Sequence, residues 1–462
     1  MNKYFNYIFS IQSALIILLF FSIGIAGATF VENDYGTDAA RALVFNSWWL
    51  ELMLVLLCSI FIYNIFEYKL YHVRKMPILF LHLSFIFIII GAGITRYVSK
   101  EGAMRIREGN LNNQFVSVNQ FLEFKIHDGV NQYSGSKEVL FSSITDNHFA
   151  IPVNFQNQKI QIEYIDFIHD PIDEVVGYQS NGNSIIELIV PSSSGGMKSE
   201  YLLRKTNKDI QGLAVGFDVK LDLDFNIFQK DSLFYFISPY DVEYMKMSDQ
   251  SMGKLIKNTN HILNHKTLYT ISGNKVVFKN HFTNSVLRKK SSNLKNDQSK
   301  LDLLRIKVSV MKKDTVVDLY GSKGVLSSKE YFQFNNLFFS ISYGPKIYSL
   351  PFAIFLKDFQ LDRYPGSDSP SSFASEIEVL DGDNQFNYRI FMNNVLNYKG
   401  YRFFQSSYDE DEQGTILSVN QDKWGTMVTY FGYLSLLLSV ISVMLSRFSR
   451  INLLNKKINK SI

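Results

Sequence analysis

The sequence predicts a membrane protein with four transmembrane α-helices, three before and one after a large extracytoplasmic β domain that is mainly antiparallel. Two observations carry this prediction. Four apolar runs are each long enough to cross a bilayer, and the chain between the third and fourth runs is built of short segments typical of strands. The predicted regions are 1–96 for the first three helices, 97–425 for the β domain, and 426–462 for the last helix with a basic tail.

The apolar runs have about 19–21 residues each, enough to span a hydrocarbon core of about 30 Å at about 1.5 Å per residue. The second run opens with Trp48 and Trp49, a residue type enriched at membrane interfaces. The first run ends in Ala26-Gly27-Ala28, which resembles a signal-peptidase site. Because that run is longer than a usual signal-peptide core and follows a single lysine, we expect it to be retained. The runs cover roughly residues 8–28, 48–66, 77–95 and 427–446.

The charges of the short loops predict the orientation. The loop after the first helix is acidic, with Glu32, Asp34 and Asp38. By the positive-inside rule both termini are cytoplasmic, and residues 97–425 then lie outside, in the periplasm of a bacterium whose inner membrane holds the helices. The basic residues lie before the first helix, after the second and after the fourth: Lys3, Lys69, Arg74, Lys75, Arg447, Arg450, Lys456, Lys457 and Lys460.

The segment 97–425 shows the pattern of a β structure. Runs rich in Phe, Tyr, Ile and Val, such as FLEFKI, IQIEYI, SIIELIV and LFFSISY, alternate with clusters of Gly, Asn, Asp and Ser. No helical pattern alternates with them, so antiparallel layers are expected rather than a parallel sheet. Within this region Asp249–Lys266 is the best candidate for a helix. Lys289–Lys300 is polar and aperiodic, which predicts an exposed loop that divides two β subdomains.

The composition excludes several classes of protein. The 47 basic and 43 acidic residues are too evenly balanced for a nucleic-acid-binding surface, so no nucleic-acid partner is expected. A charged fraction of 19% with 15% aromatic residues is the reverse of a disordered chain. Cys58, the single cysteine, lies in the second apolar run, so the external domain cannot perform thiol–disulfide exchange. No G-x-S-x-G, H-E-x-x-H or P-loop motif indicates a hydrolase or an ATPase.

His82 is the first candidate for a functional residue, because it is an ionisable group inside the third apolar run. Such a residue is costly in lipid and usually faces the interior of a helix bundle. A neutral imidazole there can be an axial haem ligand or part of a proton relay. It can equally be a structural histidine that is hydrogen-bonded to a neighbouring helix, with Asn64 as its partner. These alternatives stay open on the residues alone.

The other histidines give weaker signals. His72 lies in the basic loop after the second helix, where a loop residue at the headgroup surface is the simplest interpretation. His261 and His265 have the spacing that would place both on one face of a helix, but two ligands without a third are weak evidence for a metal site. The remaining histidines are isolated in β-rich sequence and are expected to be structural: His127, His148, His169 and His281.

Small residues form a stripe along the fourth helix at spacings of three and four. In lipid such residues let helices approach closely, so the stripe predicts a helix–helix contact, either within this chain or with a partner helix. A shorter version occurs at Gly24 and Ala28 of the first helix. The stripe comprises Gly432, Ser435, Ser439, Ser442 and Ser446.

The acidic run Asp409-Glu410-Asp411-Glu412 stands between two strand-like segments, just before Gly414. Its spacing does not match an EF-hand. A solvated hairpin turn is the expected structure.

Three stretches of the sequence are distinctive: HLSFIFIIIGAGITRYVSKEGAMRIREG from His82 to Gly109, PFAIFLKDFQLDRYPGSDSPSSF from Pro351 to Phe373, and MNNVLNYKGYRFFQSSYDEDEQGTILSVNQD from Met392 to Asp422. They resemble the ResB family, also called CcsB, of the System II machinery for cytochrome c biogenesis. The layout of three helices, an external β domain and a last helix is that of the family. The chain is similar to the N-terminal half of versions that are fused to a CcsA-type partner.

The resemblance implies a role in haem export and in the covalent attachment of haem to apocytochrome c, together with a CcsA-type or ResC-type subunit. His82 then matches the family's histidine in the third helix, an axial ligand to the iron of haem b. The opposing ligand and the tryptophan-rich haem-handling segment belong to the partner, and this chain has only Trp48, Trp49 and Trp424. The chain is therefore not expected to be catalytic alone. A thioredoxin-like thiol reductant is a further partner that the family implies.

An alternative of a different class is a non-catalytic, membrane-anchored scaffold. In that case the β domain binds an envelope partner and His82 only packs between helices. Haem retention distinguishes the two, because only the haem-handling subunit should bring haem with it.

Overall fold

The structure is a computed structural model that describes residues 7–177, 182–192, 195–292 and 301–445. Four of its helices are long and apolar enough to cross a membrane, as the sequence predicts. Three precede all the strands and the fourth follows them. Their bounds are α1 (Ile11–Tyr35), α2 (Trp48–Glu67), α3 (Met76–Val98) and α4 (Lys423–Leu445).

The ends of the first helices are set by capping residues. The hydroxyl of Ser10 accepts a hydrogen bond from the backbone N–H of Ser13 and starts α1. The helix continues to Tyr35, beyond the predicted end at residue 28, and stops at Gly36, whose φ of 87° is open to glycine. A short α-helix (Thr37–Ala40) and a π-helix (Arg41–Phe45) then lead to Ser47, which caps α2.

Helices α3 and α4 pack closely where glycines replace side chains. A Cβ atom built on Gly91 of α3 would lie 2.2 Å from the Thr429 Oγ1, and one built on Gly425 of α4 would lie 2.2 Å from the Thr95 Oγ1. At Gly432 the added atom would meet the backbone of α3 at the Ile88 N, 3.1 Å away. The two helices are therefore held together through close backbone approach, as in other membrane helix pairs.

Both helices of this pair continue almost directly into strands. Only Ser99 separates α3 from β1 (Lys100–Arg107), and only Asp422 separates the last strand, Gly414–Gln421, from α4. Those two strands pair antiparallel, with Lys100 opposite Gln421. The carboxylate of Asp422 accepts hydrogen bonds from the Gly425 N–H at 3.1 Å and from the Thr95 Oγ1 at 2.6 Å. One residue thus caps α4 and ties it to α3.

The described part of the chain between α3 and α4 contains twenty-six strands. In chain order they are β1 (Lys100–Arg107), β2 (Leu111–His127), β3 (Gln132–Val139), β4 (Ala150–Phe155), β5 (Gln158–Ile168), β6 (Pro171–Val176), β7 (Asn183–Pro191), β8 (Met197–Leu203), β9 (Thr206–Ile210), β10 (Leu213–Phe217), β11 (Phe225–Lys230), β12 (Leu233–Ile237), β13 (Val242–Lys246), β14 (Met252–Leu255), β15 (His261–Ile262), β16 (Thr267–Ile271), β17 (Asn274–Ser291), β18 (Asp302–Val310), β19 (Lys313–Gly321), β20 (Glu330–Phe334), β21 (Leu337–Arg363), β22 (Pro370–Asp381), β23 (Asn384–Phe391), β24 (Leu396–Tyr398), β25 (Tyr401–Tyr408) and β26 (Gly414–Gln421).

The chain divides into two units, one of Met1–Asp170 with Asn293–Ile462 and one of Pro171–Ser292. The first unit holds the membrane helices and two antiparallel sheets. Its larger sheet has the order β23-β22-β21-β2-β1-β26-β25-β24, with β3 paired to β2 and β20 paired to β21. Its smaller sheet has the order β19-β18-β5-β4. The antiparallel prediction is confirmed for these layers.

Two apolar cores stabilise the first unit. One surrounds buried residues of both its sheets, such as Leu122, Ile162 and Ile306. The other lies on the part of the larger sheet that contains β1 and β26, around Met104, Phe403 and Leu417. These three side chains have no exposed surface, so the strands that continue into α3 and α4 belong to a well-packed layer.

The second unit has its own core and two sheets. One sheet has the order β14-β13-β16-β17-β7-β8 with β6 paired to β17, and the other has the order β15-β12-β11-β10-β9. Strands β10 and β11 are parallel, the one departure from antiparallel pairing among the described strands. The core includes Ile186, Phe217, Phe236 and Tyr269.

The predicted helix at Asp249–Lys266 is wrong. Strands β14 and β15 occupy this segment, and β14 pairs with β13 from Val242 opposite Leu255 to Met245 opposite Met252. Tertiary pairing overrides the local helical pattern here. Positive φ values at Gln250 and Asn258 also interrupt any continuous helix.

The predicted divider Lys289–Lys300 contains one of the two boundaries between the units, which falls after Ser292. Its first residues, through Ser291, belong to β17 rather than to a loop. The remaining residues of the predicted loop, 293–300, lie outside the described residues. The other boundary, between Asp170 and Pro171, has no counterpart in the sequence prediction.

Candidate functional site

His82 lies in the first half of α3, with its side chain partly buried. Its Nδ1 is 2.9 Å from the backbone carbonyl oxygen of Ile78, one helical turn earlier. Because a carbonyl oxygen only accepts hydrogen bonds, the Nδ1 must carry the proton. The neutral ring then keeps a lone pair on Nε2, which is the arrangement of a histidine prepared to bind a metal.

An aromatic side chain of α2 packs against this imidazole. The ring of Phe61 meets His82 edge-on, with centroids 5.6 Å apart. Phe61 also stacks on Phe85, one turn further along α3, at 5.3 Å. The pair of Phe61 and Phe85 gives the imidazole an apolar neighbour between α2 and α3. The sequence analysis missed both phenylalanines, because their contacts depend on how α2 and α3 pack.

The alternative in which His82 is hydrogen-bonded to Asn64 of the neighbouring helix is not found in the structure. The bond that His82 makes runs to its own helix, at Ile78, rather than to a neighbour. Asn64 is buried in α2, and its Oδ1 has no hydrogen-bond partner among the described residues. A buried amide oxygen without a partner is costly, so this oxygen can accept a hydrogen bond from a donor outside the described residues.

His261 and His265, whose spacing would place both on one face of a helix, do not lie on a helix. The Nε2 of His261 contacts the Thr259 Oγ1 at 2.6 Å and the Ile256 carbonyl at 2.8 Å. His265 lies in the turn before β16, and its Nδ1 donates to the Lys279 carbonyl oxygen at 3.0 Å. Within the described residues, no three His, Cys, Asp or Glu side chains come together as a group that could hold a metal ion.

The remaining histidines have separate environments. His72 is exposed in the turn after α2, and His148 is exposed in the first unit. His127 stacks on Phe338 at 5.0 Å. The Nδ1 of His169 lies 2.6 Å from a carboxylate oxygen of Asp302, within hydrogen-bond distance. His281 of the second unit lies with its Nε2 2.7 Å from the hydroxyl of Ser184.

The stripe on α4 is partly confirmed as a packing surface. Gly432 and Ser439 are buried, Ser435 is half-buried and Ser442 is exposed, while Ser446 lies outside the described residues. Gly425, which the stripe did not include, is also buried. Gly425 and Gly432 face α3, so part of the predicted contact is made within this chain.

The acidic run forms the turn between β25 and β26, as expected, but it is only partly solvated. Asp409 is buried and accepts hydrogen bonds from the Arg105 Nε at 2.7 Å and the Arg107 Nη1 at 2.9 Å. Asp411 binds both terminal nitrogens of Arg107 at 2.7 Å, and this bidentate pair lowers the pKa of Asp411 to about 2. The run therefore fastens the hairpin to β1.

These features define a protein with four helices long and apolar enough to cross a membrane, a region of strands between the third and fourth, and a partly buried histidine in the third helix. A model of the ResB-like family matches residues 299–446, which confirms the resemblance inferred from the sequence. The chain is also similar to Protein NrfI of Wolinella succinogenes, with 29% identity over 447 residues. That alignment covers 96% of this chain and 35% of NrfI, so the chain spans about a third of the length of this relative.

Among solved structures, a crystal structure of MucB in complex with MucA(peri) aligns with 53% of this chain and 92% of that chain. The TM-score is 0.09 and the identity is 10%.

Proposed function

We propose that this chain is a membrane subunit of a System II cytochrome c biogenesis complex, and that it takes part in moving haem outward and attaching it to apocytochrome c. Haem is the cargo, and His82 supplies one axial ligand to its iron within the membrane. The tautomer of His82 is the observation that carries this proposal, because the hydrogen bond to Ile78 leaves the Nε2 lone pair for a metal. The ResB-like match supports the same role.

The chain contributes the imidazole, the aromatic pair of Phe61 and Phe85, and the buried amide of Asn64. A six-coordinate haem needs a second axial ligand. We assign that ligand to a CcsA-type or ResC-type membrane subunit. NrfI is about three times as long as the stretch it shares with this chain, so it has room for a further membrane region.

In this proposal the helices lie in a bacterial inner membrane with both termini cytoplasmic, and both β units lie in the periplasm. Apocytochrome c and a thioredoxin-like thiol reductant are then partners on the periplasmic side. The part of the chain that the structure describes has one cysteine, Cys58, inside α2. Reduction of the apocytochrome thiols is therefore assigned to another protein.

The test is to replace His82 with alanine in the full chain, co-expressed with a CcsA-type partner. We expect His82→Ala to lower the haem that copurifies with the complex, while the amount of assembled complex stays the same. Free imidazole should restore part of the haem absorbance, because it can occupy the vacated coordination position. His72→Ala is the matched control, since His72 is exposed in the turn after α2. Unchanged haem content in His82→Ala would exclude the ligand role and favour the scaffold.

A further inference from the structure

The second unit contains an open surface cavity of about 410 Å³ that two histidines help to line. His265 comes from the turn before β16, and His281 comes from β17. Two phenylalanine rings, Phe278 and Phe234, lie between the two imidazoles in a continuous series of ring contacts. His265 stacks on Phe278 at 4.2 Å, Phe278 meets Phe234 at 5.5 Å, and Phe234 meets His281 at 4.5 Å.

The cavity has an apolar floor and an apolar exposed rim. Phe278 and Leu263 are buried beneath it. Leu233 and Ile262 are large apolar side chains at the opening, with 50% and 45% of their surface exposed. Exposed apolar side chains around a concave surface are typical of a ligand site, and the volume lies in the usual range of about 300–1,000 Å³.

A hydrogen bond to the backbone determines which ring nitrogen of His265 can bind a ligand. Its Nδ1 donates to the carbonyl oxygen of Lys279, so in the neutral ring the lone pair lies on Nε2. No hydrogen-bond partner of this Nε2 occurs in the described parts of the chain, and the side chain is exposed. Burial lowers the pKa of His281, and the positive charge of Arg204 lowers it further, which favours the neutral form of that imidazole.

The side chains that line the cavity indicate which class of molecule it can bind. A metal ion bound by protein alone usually takes three or four side-chain ligands, and the cavity offers two imidazoles with no Asp or Glu among its described lining residues. A haem brings four nitrogens of its own and needs only one or two axial ligands. Its flat apolar face also matches the exposed apolar side chains of Leu233 and Ile262 at the opening of the cavity.

We propose that this cavity is a second haem-binding site, at the surface of the Pro171–Ser292 unit, with the His265 Nε2 as the axial ligand. The inference rests on the proposed function, since it assumes that haem is the cargo of this protein. A single imidazole leaves the sixth coordination position open to water or to an incoming ligand. Such a site receives and releases haem more readily than one with two protein ligands, as a delivery step requires.

The experiment uses the purified full-length chain in detergent micelles, without a CcsA-type partner, in a His82→Ala background. Iron(III) protoporphyrin IX is the probe, and the readout is the absorbance spectrum of imidazole-ligated haem during titration. We expect the His82→Ala protein to give this spectrum and the added His265→Ala change to weaken binding by about 10–100-fold or more. Free imidazole should restore the ligated spectrum in the variant.

His261→Ala is the matched control, because His261 lies four residues away and contacts Thr259 and Ile256 instead of lining the cavity. It should leave the affinity unchanged. Leu233→Asp should weaken both iron protoporphyrin and metal-free protoporphyrin, whereas His265→Ala should weaken only the iron form. Both side chains are exposed, so the unit should fold in each variant.

Two results would overturn the inference. One is an unchanged ligated spectrum in the protein that lacks both His82 and His265. The other is tight, His265-dependent binding of Zn²⁺ alone, which would make the cavity a metal site. Failure here is distinguishable from failure of the proposed function, because the His82 test measures haem in the complex with the partner and this titration contains no partner.

Discussion

Replacing Gly91 with alanine should separate α3 from α4 and destabilise the membrane part of the protein. The added Cβ atom would lie 2.2 Å from the Oγ1 of Thr429 and 2.8 Å from its backbone N. The threonine side chain can rotate, but the backbone cannot yield locally. The distance to the nitrogen is about 0.6 Å short of the 3.4 Å at which ordinary contact begins, so the helices must move apart by about that amount.

The expected loss of stability in Gly91→Ala follows from the loss of close packing between α3 and α4. A gap of about 0.5–1 Å removes roughly a quarter to a half of the dispersion energy of the atoms that face it. Overpacking of this size usually costs about 1–3 kcal/mol. In lipid no hydrophobic effect between helices compensates for the loss, because lipid tails are as apolar as the side chains.

Gly93 provides the matched control. It lies two residues away on the same helix, and a Cβ atom built there has nothing within 4 Å. Both substitutions gain the same helix propensity, about 1 kcal/mol, so the difference between them reports packing alone. We expect Gly91→Ala to be less stable than Gly93→Ala by about 1–3 kcal/mol.

The assay is unfolding of the full-length protein by sodium dodecyl sulfate in mixed micelles, followed by the fluorescence of the tryptophans in α2 and α4. A lower unfolding midpoint is expected for Gly91→Ala than for Gly93→Ala. Equal midpoints for the two variants would refute the close approach of α3 and α4 at this point.

Three further predictions concern other parts of the chain. Ser439→Leu should reduce the yield of folded, assembled protein, because Ser439 is buried, whereas Leu437→Ile at an exposed position should leave the yield unchanged in the same purification. The ion pair lowers the pKa of Asp411 from 3.8 to about 2, so its stabilisation is complete above about pH 4 and is lost as the pH falls toward 2. Asp411→Asn should therefore flatten the acid-unfolding profile in that range, and an unchanged profile would contradict the reasoning. A reporter fused after Arg450 should indicate the cytoplasm and a cysteine placed at Asn293 should react only from outside, as the basic loops predict; labelling of that cysteine from the cytoplasm would overturn the topology.

The sequence predicted the membrane helices well because length and apolar character decide whether a segment can span a bilayer. It placed the end of α1 too early, since Val31–Tyr35 is more polar than the run before it yet remains helical up to Gly36. It also failed for Asp249–Lys266, where pairing with β13 decides the structure. That pairing depends on strand register, which a local pattern does not contain.

For the candidate sites too, the sequence predicts the residues with a local signal and misses those whose role depends on tertiary contacts. His82 stands out in the sequence because an ionisable residue in an apolar run is rare. The hydrogen bond from His265 to Lys279 joins residues fourteen positions apart, and it exists only because β16 and β17 form a hairpin. Gly91 and Gly425 were missed for a similar reason, since their importance depends on the antiparallel pairing of α3 with α4.

A single residue connects α3 to β1, and a single residue connects β26 to α4. A change in the orientation of the larger sheet therefore changes the orientation of the helix pair. With 23 residues and a rise of about 1.5 Å per residue, α3 is about 35 Å long. His82 lies sixteen residues before Val98, so it is about 24 Å from the strand end of the helix. A rotation of the helix pair by about 10° at Ser99 and Asp422 would displace His82 by about 4 Å. A movement of the β1–β26 layer can thus displace His82 without any chain of side-chain contacts between them.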